Sequence, residues 1–116
     1  MAVVSVTKTF TFEAAHVLPW HPGKCSRVHG HSYRLDVTVT GPTDRNGVVM
    51  DFADLGRAVT AAVVERCDHA FLNDLVDNPT AENLAVAFLD WLAEAGLAAS
   101  EITLWETATS RATVRP

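Results

Sequence analysis

The sequence predicts an α+β chain: a mostly antiparallel four-stranded sheet with two helices on one face, in the order strand, strand, helix, helix, strand, strand. Three observations carry this expectation. Residues near both ends alternate apolar and polar with a period of two, the middle of the chain repeats apolar residues at helical spacing, and Gly, Pro, Asn and Asp punctuate the boundaries. The length of 116 residues fits one domain over residues 1–116, and 48% apolar with 20% charged residues is an ordinary globular balance that excludes a disordered or collagen-like chain.

In the first strand, expected over residues 3–12, Val4, Val6, Phe10 and Phe12 share one parity and Ser5, Thr7, Thr9 and Thr11 the other. From His31 a second strand sets Tyr33, Leu35, Val37 and Val39 against Arg34, Asp36, Thr38 and Thr40. The loop Gly41 to Gly47 carries Gly-Pro and Asn-Gly turn signals, and Val48-Val49-Met50 is a candidate short extension. Asp51 or Asp54 can cap a first helix through Arg66, with Leu55, Ala58, Val59, Ala62 and Val63 on its inner stripe. Thr80 is placed to cap a second, with Leu84, Ala85, Phe88, Leu89 and Leu92 as its stripe and Gly96 as its stop. Two strands close the chain, one with Ile102, Leu104 and Glu106 on one face, the other around Ala112 to Val114.

A net charge of −5 argues against a general nucleic-acid binder. No apolar run approaches the ~20 residues of a membrane span, and the start lacks the pattern of a signal peptide. Cys25 and Cys67 follow no disulfide framework, so a cytoplasmic chain with reduced thiols is expected.

His29 and His31 are separated by one glycine, and in an extended chain positions i and i+2 face the same way. If the first two strands form a hairpin, His16 lies beside them, and three histidines that leave one tetrahedral position open describe a catalytic zinc site. Cys25, four residues before His29, could instead be a fourth ligand that closes an inert site. His21 has no partner at ligand spacing and is expected to be a loop histidine. Asp68 next to His69 could fix the tautomer of that imidazole, or the pair could be incidental. Cys25 is a candidate nucleophile or base, whereas Cys67, among apolar neighbours at a helix end, is expected to be buried and inert. Glu106 points with the apolar face, so it is paired, partly exposed or ligand-binding. Lys24, Arg27 and Arg34 form a local cationic group suited to a small anion, or a solvated face.

Five stretches together resemble the family of 6-pyruvoyl-tetrahydropterin and 6-carboxy-tetrahydropterin synthases: Phe12-Glu13-Ala14-Ala15-His16, Cys25-Ser26-Arg27-Val28-His29-Gly30-His31, Asp68-His69-Ala70-Phe71-Leu72-Asn73, Pro79-Thr80-Ala81-Glu82-Asn83 and Trp105-Glu106-Thr107. The resemblance implies the tunnelling fold and a homohexamer built from two trimers, with active sites at subunit interfaces. It implies that His16, His29 and His31 bind Zn2+ and that Cys25 is the catalytic thiol. It further implies that Asp68 and His69 relay protons and that Glu106 anchors the pterin ring. Thr80 and Glu82 match a motif that shapes the pterin pocket, and Arg27 is a candidate for substrate binding. The implied substrate is dihydroneopterin triphosphate, with no organic cofactor, no nucleic acid and no membrane involved. The short Cys25-to-His29 spacing is similar to the bacterial carboxy enzymes rather than the animal pyruvoyl enzymes. Cys67 departs from the leucine usual before Asp-His. A catalytically idle pterin- or metal-binding module is the reading of a different class.

Overall fold

The computed structural model describes residues 2–116. Strands β1 (Val4–His16) and β2 (His29–Gly41) form a long antiparallel hairpin, in register from Val4 opposite Gly41 to His16 opposite His29. Helix α1 covers residues 52–67, β3 is Ala70–Phe71, helix α2 is Ala81–Glu94, and β4 (Glu101–Thr107) and β5 (Ser110–Val114) end the chain. The sheet order is β3-β1-β2-β4-β5. The molecule is elongated, 52 × 24 × 22 Å, along the hairpin.

The expected element order and both helices are present, with three differences. The first is a fifth strand: β3 pairs parallel to β1 through Ala14–Ala70 and Ala15–Phe71, so the sheet is mixed rather than purely antiparallel. Two residues are too few to show a periodicity. The second is the length of the hairpin, where β1 runs to His16 and β2 starts at His29, because the short side chains of Ala14 and Ala15 hide the alternation that the backbone continues. The third is Val48-Val49-Met50, which adds no strand; Asp44 Oδ1 instead accepts from Asn46 N (2.8 Å) and Val48 N (3.3 Å) and curls the segment into a turn.

Helix α1 is capped by Asp51, whose Oδ1 accepts from Ala53 N at 2.7 Å. It begins as α-helix over Phe52–Val59, widens to a π-turn over Thr60–Val64 and ends as α-helix over Glu65–Cys67. The reason lies in its buried row, Leu55, Val59, Val63 and Cys67, spaced by four throughout. In an ideal α-helix each four-residue step drifts by about 40°. The wider turn takes back part of that drift and keeps all four against the sheet. Burial pushes the Cys67 thiol up to about 12, matching the inert role expected of it. In α2, Ala81, Leu84, Ala85, Phe88 and Leu92 are buried, and the helix stops before Gly96, which takes φ +90°. Arg66 lies over the Trp91 ring at 3.6 Å and ties the two helices together.

Both helices cover the face that carries Phe12, Tyr33, Leu35, Val37, Ile102 and Leu104, all buried. Phe12 stacks on Tyr33 and meets Phe88 edge-on, with centroids 5.0 and 6.0 Å apart. The other face is polar. Hydroxyls pair across the hairpin at Ser5–Thr40 (2.7 Å) and Thr7–Thr38 (2.6 Å), and Thr9 donates to Asp36 Oδ1 (2.7 Å). Burial would raise the pKa of Asp36, but hydrogen bonds from Thr9, Trp105 and Arg34 outweigh it and hold the carboxyl below its ordinary value. Among the described residues, no helix is long and apolar enough to cross a membrane.

Candidate active site

The hairpin register places His16, the last residue of β1, opposite His29, the first of β2, with His31 two residues further on. Their parity is that of Phe12 and Tyr33, so all three imidazoles gather at the end of the covered face. His16 is fully buried. Its Nδ1–H donates to Pro79 O at 2.8 Å, and His29 Nδ1–H donates to Arg27 O at 2.7 Å. Each of these bonds leaves Nε2 of the neutral ring with a bare lone pair, and the two Nε2 atoms face one another at 3.0 Å. Two lone pairs at that distance repel unless a cation or a proton lies between them.

Glu106 completes the group. It sits on β4 where the pairing with β5 shifts register between Trp105 and Thr107, an irregularity of the kind that re-aims a side chain. Glu106 Oε1 lies 3.1 Å from His31 Nε2 and 4.0 Å from His16 Nε2. The approach to His31 lacks hydrogen-bond geometry, so this buried nitrogen has no hydrogen-bond partner. Burial, reinforced by the neighbouring imidazoles His16 and His29, holds His31 below the ordinary histidine pKa against the opposing pull of Glu106. A neutral ring with an unpartnered nitrogen is what a metal ligand requires. One ligand atom from each of His16, His29, His31 and Glu106 lies within 4.8 Å of the others. The donor set of three imidazoles and a carboxylate fits zinc, and the two carbonyl-held Nδ1–H groups are the usual outer support of such a site. Among the described residues, Cys25 does not join this group.

Cys25 lies half-buried on a single 3-10 turn over Lys24–Ser26, where its carbonyl accepts from Leu18 N at 2.8 Å. Asp68 and His69 stand elsewhere, in the segment that enters β3. His69 Nδ1 lies 3.0 Å from Asp68 Oδ2, and Asp68 Oδ1 accepts from Glu13 N at 2.9 Å. The Glu13 amide first, and His69 second, hold the Asp68 carboxyl below its ordinary value. His69 adopts φ +60°, and its side chain is 81% exposed. It lines a cleft of ≈ 390 Å³ together with Glu13, Ser32 and His31. Cys25 does not line that cleft; it is carried by the β1–β2 loop, whereas His69 is carried by the segment that enters β3.

On the other side of Glu106, a cleft of ≈ 410 Å³ is lined by Glu82, Thr107, Ser110 and Arg111. Glu82 and Glu106 therefore share a cavity. Thr80 is engaged as the cap of α2, its Oγ1 accepting from Asn83 N at 3.1 Å. Arg27 is exposed, and its part in the histidine group is played by its carbonyl. His21, as expected, is a loop residue, its Nδ1 accepting from Gly23 N at 2.9 Å. Sequence reasoning missed the carbonyls of Pro79 and Arg27 and the amide of Glu13, because backbone groups have no residue signature.

A family model described as 6-pyruvoyl tetrahydropterin synthase matches residues 5–116. A 6-carboxy-5,6,7,8-tetrahydropterin synthase from Synechocystis sp. is 40% identical over 115 residues, covering 92% of this chain and 89% of its own. One of the same name from Haemophilus influenzae is 33% identical over 132 residues, covering 90% and 94%. The solved structure of 6-pyruvoyl tetrahydropterin synthase from Caenorhabditis elegans superimposes with a TM-score of 0.87 at 25% identity, covering 100% of this chain and 97% of that one. The expected tunnelling fold is thereby shown, with five strands in place of four.

Proposed function

Since the chain belongs to the 6-pyruvoyl tetrahydropterin synthase family, we propose that it is a zinc-dependent 6-carboxy-5,6,7,8-tetrahydropterin synthase. It would convert 7,8-dihydroneopterin triphosphate to 6-carboxytetrahydropterin, acetaldehyde and triphosphate, a step towards 7-deazapurines of the queuosine type. The observation that carries this reading is the convergence of His16, His29, His31 and Glu106, whose ligand atoms lie within 4.8 Å of one another, with the Nε2 atoms of His16 and His29 3.0 Å apart and their Nδ1 atoms held by backbone carbonyls.

In this proposal His16, His29 and His31 hold zinc, which when bound supplies Lewis-acid polarisation of the hydroxyl oxygens on the substrate side chain. Cys25 takes up or returns a proton on one side of that chain, and His69, oriented by Asp68, does so on the other. Glu106 accepts hydrogen bonds from the amino and ring N–H groups of the pterin and fixes its orientation. Glu82 and Thr80 bound the pterin cavity, and Arg27 meets the anionic end of the substrate. By resemblance to the family, the working site takes residues from neighbouring subunits of a homohexamer, a dimer of trimers, in the cytoplasm. The outer edge of β1 pairs with β3 only at Ala14 and Ala15, and the rest is free to pair with another copy. Light scattering is expected to give six times the chain mass at micromolar concentration, and a stable monomer would overturn the assembly.

Incubation with 7,8-dihydroneopterin triphosphate is expected to yield 6-carboxytetrahydropterin and one equivalent of acetaldehyde. A second reading, a 6-pyruvoyl-tetrahydropterin synthase that eliminates triphosphate, is favoured by the similarity to the Caenorhabditis elegans structure. A pyruvoyl product without acetaldehyde would establish it in place of the first. No turnover with this substrate would remove both.

A further inference from the structure

Asn78 stands at a junction that the chemistry above does not use. It adopts φ +49°, the left-handed region in which asparagine is among the few tolerated side chains other than glycine. Its carbonyl accepts from Thr80 N (2.8 Å) and Asn83 Nδ2 (2.9 Å), which locks the turn leading into α2. The next residue is Pro79, whose carbonyl receives the Nδ1–H of the buried His16. The direction of that carbonyl, and with it the aim of the His16 lone pair, follows from the left-handed turn at Asn78.

The side chain of Asn78 works in the other direction. Its Oδ1 accepts from Trp20 Nε1 at 2.6 Å. Trp20 is 60% exposed, too open for packing alone to hold a large indole. It belongs to the β1–β2 loop over residues 17–28, the loop that carries Cys25. The loop is folded on itself by His21 N to Leu18 O (2.9 Å) and Leu18 N to Cys25 O (2.8 Å), so an anchor on Trp20 reaches Cys25 through two hydrogen bonds. The root of the loop has a separate fastening, since Asn73 both accepts from Val17 N and donates to Val17 O at 2.9 Å.

We propose that Asn78 is a positioning residue that aligns the metal ligand His16 through its backbone and the thiol-bearing loop through its side chain; the inference rests on the roles proposed above for His16 and Cys25. Asn78 stands outside the His16–His29–His31–Glu106 group and lines neither cleft described above, and its two contributions are separable by substitution. Asn78→Gly keeps the left-handed turn accessible and removes the amide. Its zinc affinity, measured by competition with a chromophoric chelator, is expected to stay at the wild-type value. Its kcat is expected to fall about tenfold at unchanged KM. Hydrogen exchange should speed up at the Leu18 and His21 amides but not at Val17.

Trp20→Phe, which lacks the N–H, should reproduce these effects, and the double variant should be no worse than either single one. Asn78→Val places a β-branched side chain at positive φ and should in addition weaken zinc binding by about 10- to 100-fold. Wild-type exchange and kcat in both Asn78→Gly and Trp20→Phe would overturn the loop anchor. Wild-type zinc affinity in a folded Asn78→Val would overturn the alignment of His16. If Asn78→Val does not fold, Asn78→Ala, whose Cβ also disfavours the left-handed turn, tests the alignment by the same chelator competition, and wild-type zinc affinity there would overturn it. If the wild-type protein makes no pterin product, the proposed function fails, while the zinc and exchange measurements still test the anchor.

Discussion

Replacing Cys25 with alanine is expected to lower turnover of dihydroneopterin triphosphate by ~10²–10⁴-fold, the range that a positioned proton-transfer group supplies. Zinc content should stay near the wild-type stoichiometry. The reasoning is geometric: the four convergent ligand atoms come from His16, His29, His31 and Glu106, and the thiol lies outside them on its own turn. Removing it leaves the four convergent side chains intact and, in the proposed function, takes away a proton carrier. The same measurement addresses the idle-module reading, in which Cys25 closes the site as a fourth ligand. Under that reading zinc is lost in step with any activity, so metal analysis by plasma emission on the purified variant separates the two.

Glu106→Gln should reduce kcat/KM by about a hundredfold or more, because a carboxylate that accepts two N–H donors forms charge-assisted bonds worth ~1.5–3 kcal/mol each, and the amide turns a donor towards one of them. The variant also settles what Glu106 does near the histidines. Its Oε1 lies 3.1 Å from His31 Nε2, close enough to join the ligands, while the same residue lines the cavity shared with Glu82. If its role is to anchor the pterin, the loss appears in KM and the three imidazoles keep their zinc. If it is a standing ligand, the protein leaves purification with depleted metal, and the proposed anchor is wrong. Substrate titration and metal content on one preparation read both.

Much of this site is legible in the sequence, and the reason is the period of the β-strand. Alternation set His29 and His31 on the face of Tyr33 and Leu35, and Glu106 on the face of Ile102 and Leu104. Because that face is buried, a polar side chain there had to have company. Thr80 was legible as a cap, and Asp51 as one of two candidates with Asp54, because capping needs a particular side chain at a particular position. What stayed hidden was written in the backbone. Strand β3 exists because the Glu13 carbonyl receives His69 N, and no residue type announces that bond. The π-turn follows from a four-residue apolar row that any sequence rule scores as plain helix. The carbonyls that aim His16 and His29 belong to a proline and an arginine, neither chosen for its side chain.

The hydroxyl pairs on the open face of the hairpin bear on the fidelity of folding. Sliding β1 by one residue against β2 would turn every side chain of that strand to the opposite face. Phe12 would face water, and Ser5, Thr7 and Thr9 would lose their partners at the same time. The error would therefore be penalised on both faces of the ribbon at once. Over 13 paired residues, a span of about 40 Å, the threonines at one end stand guard over a pairing at the other. That distant pairing is His16 with His29, so the accuracy of the histidine geometry is enforced at the far end of the ribbon, by side chains that stand outside the site.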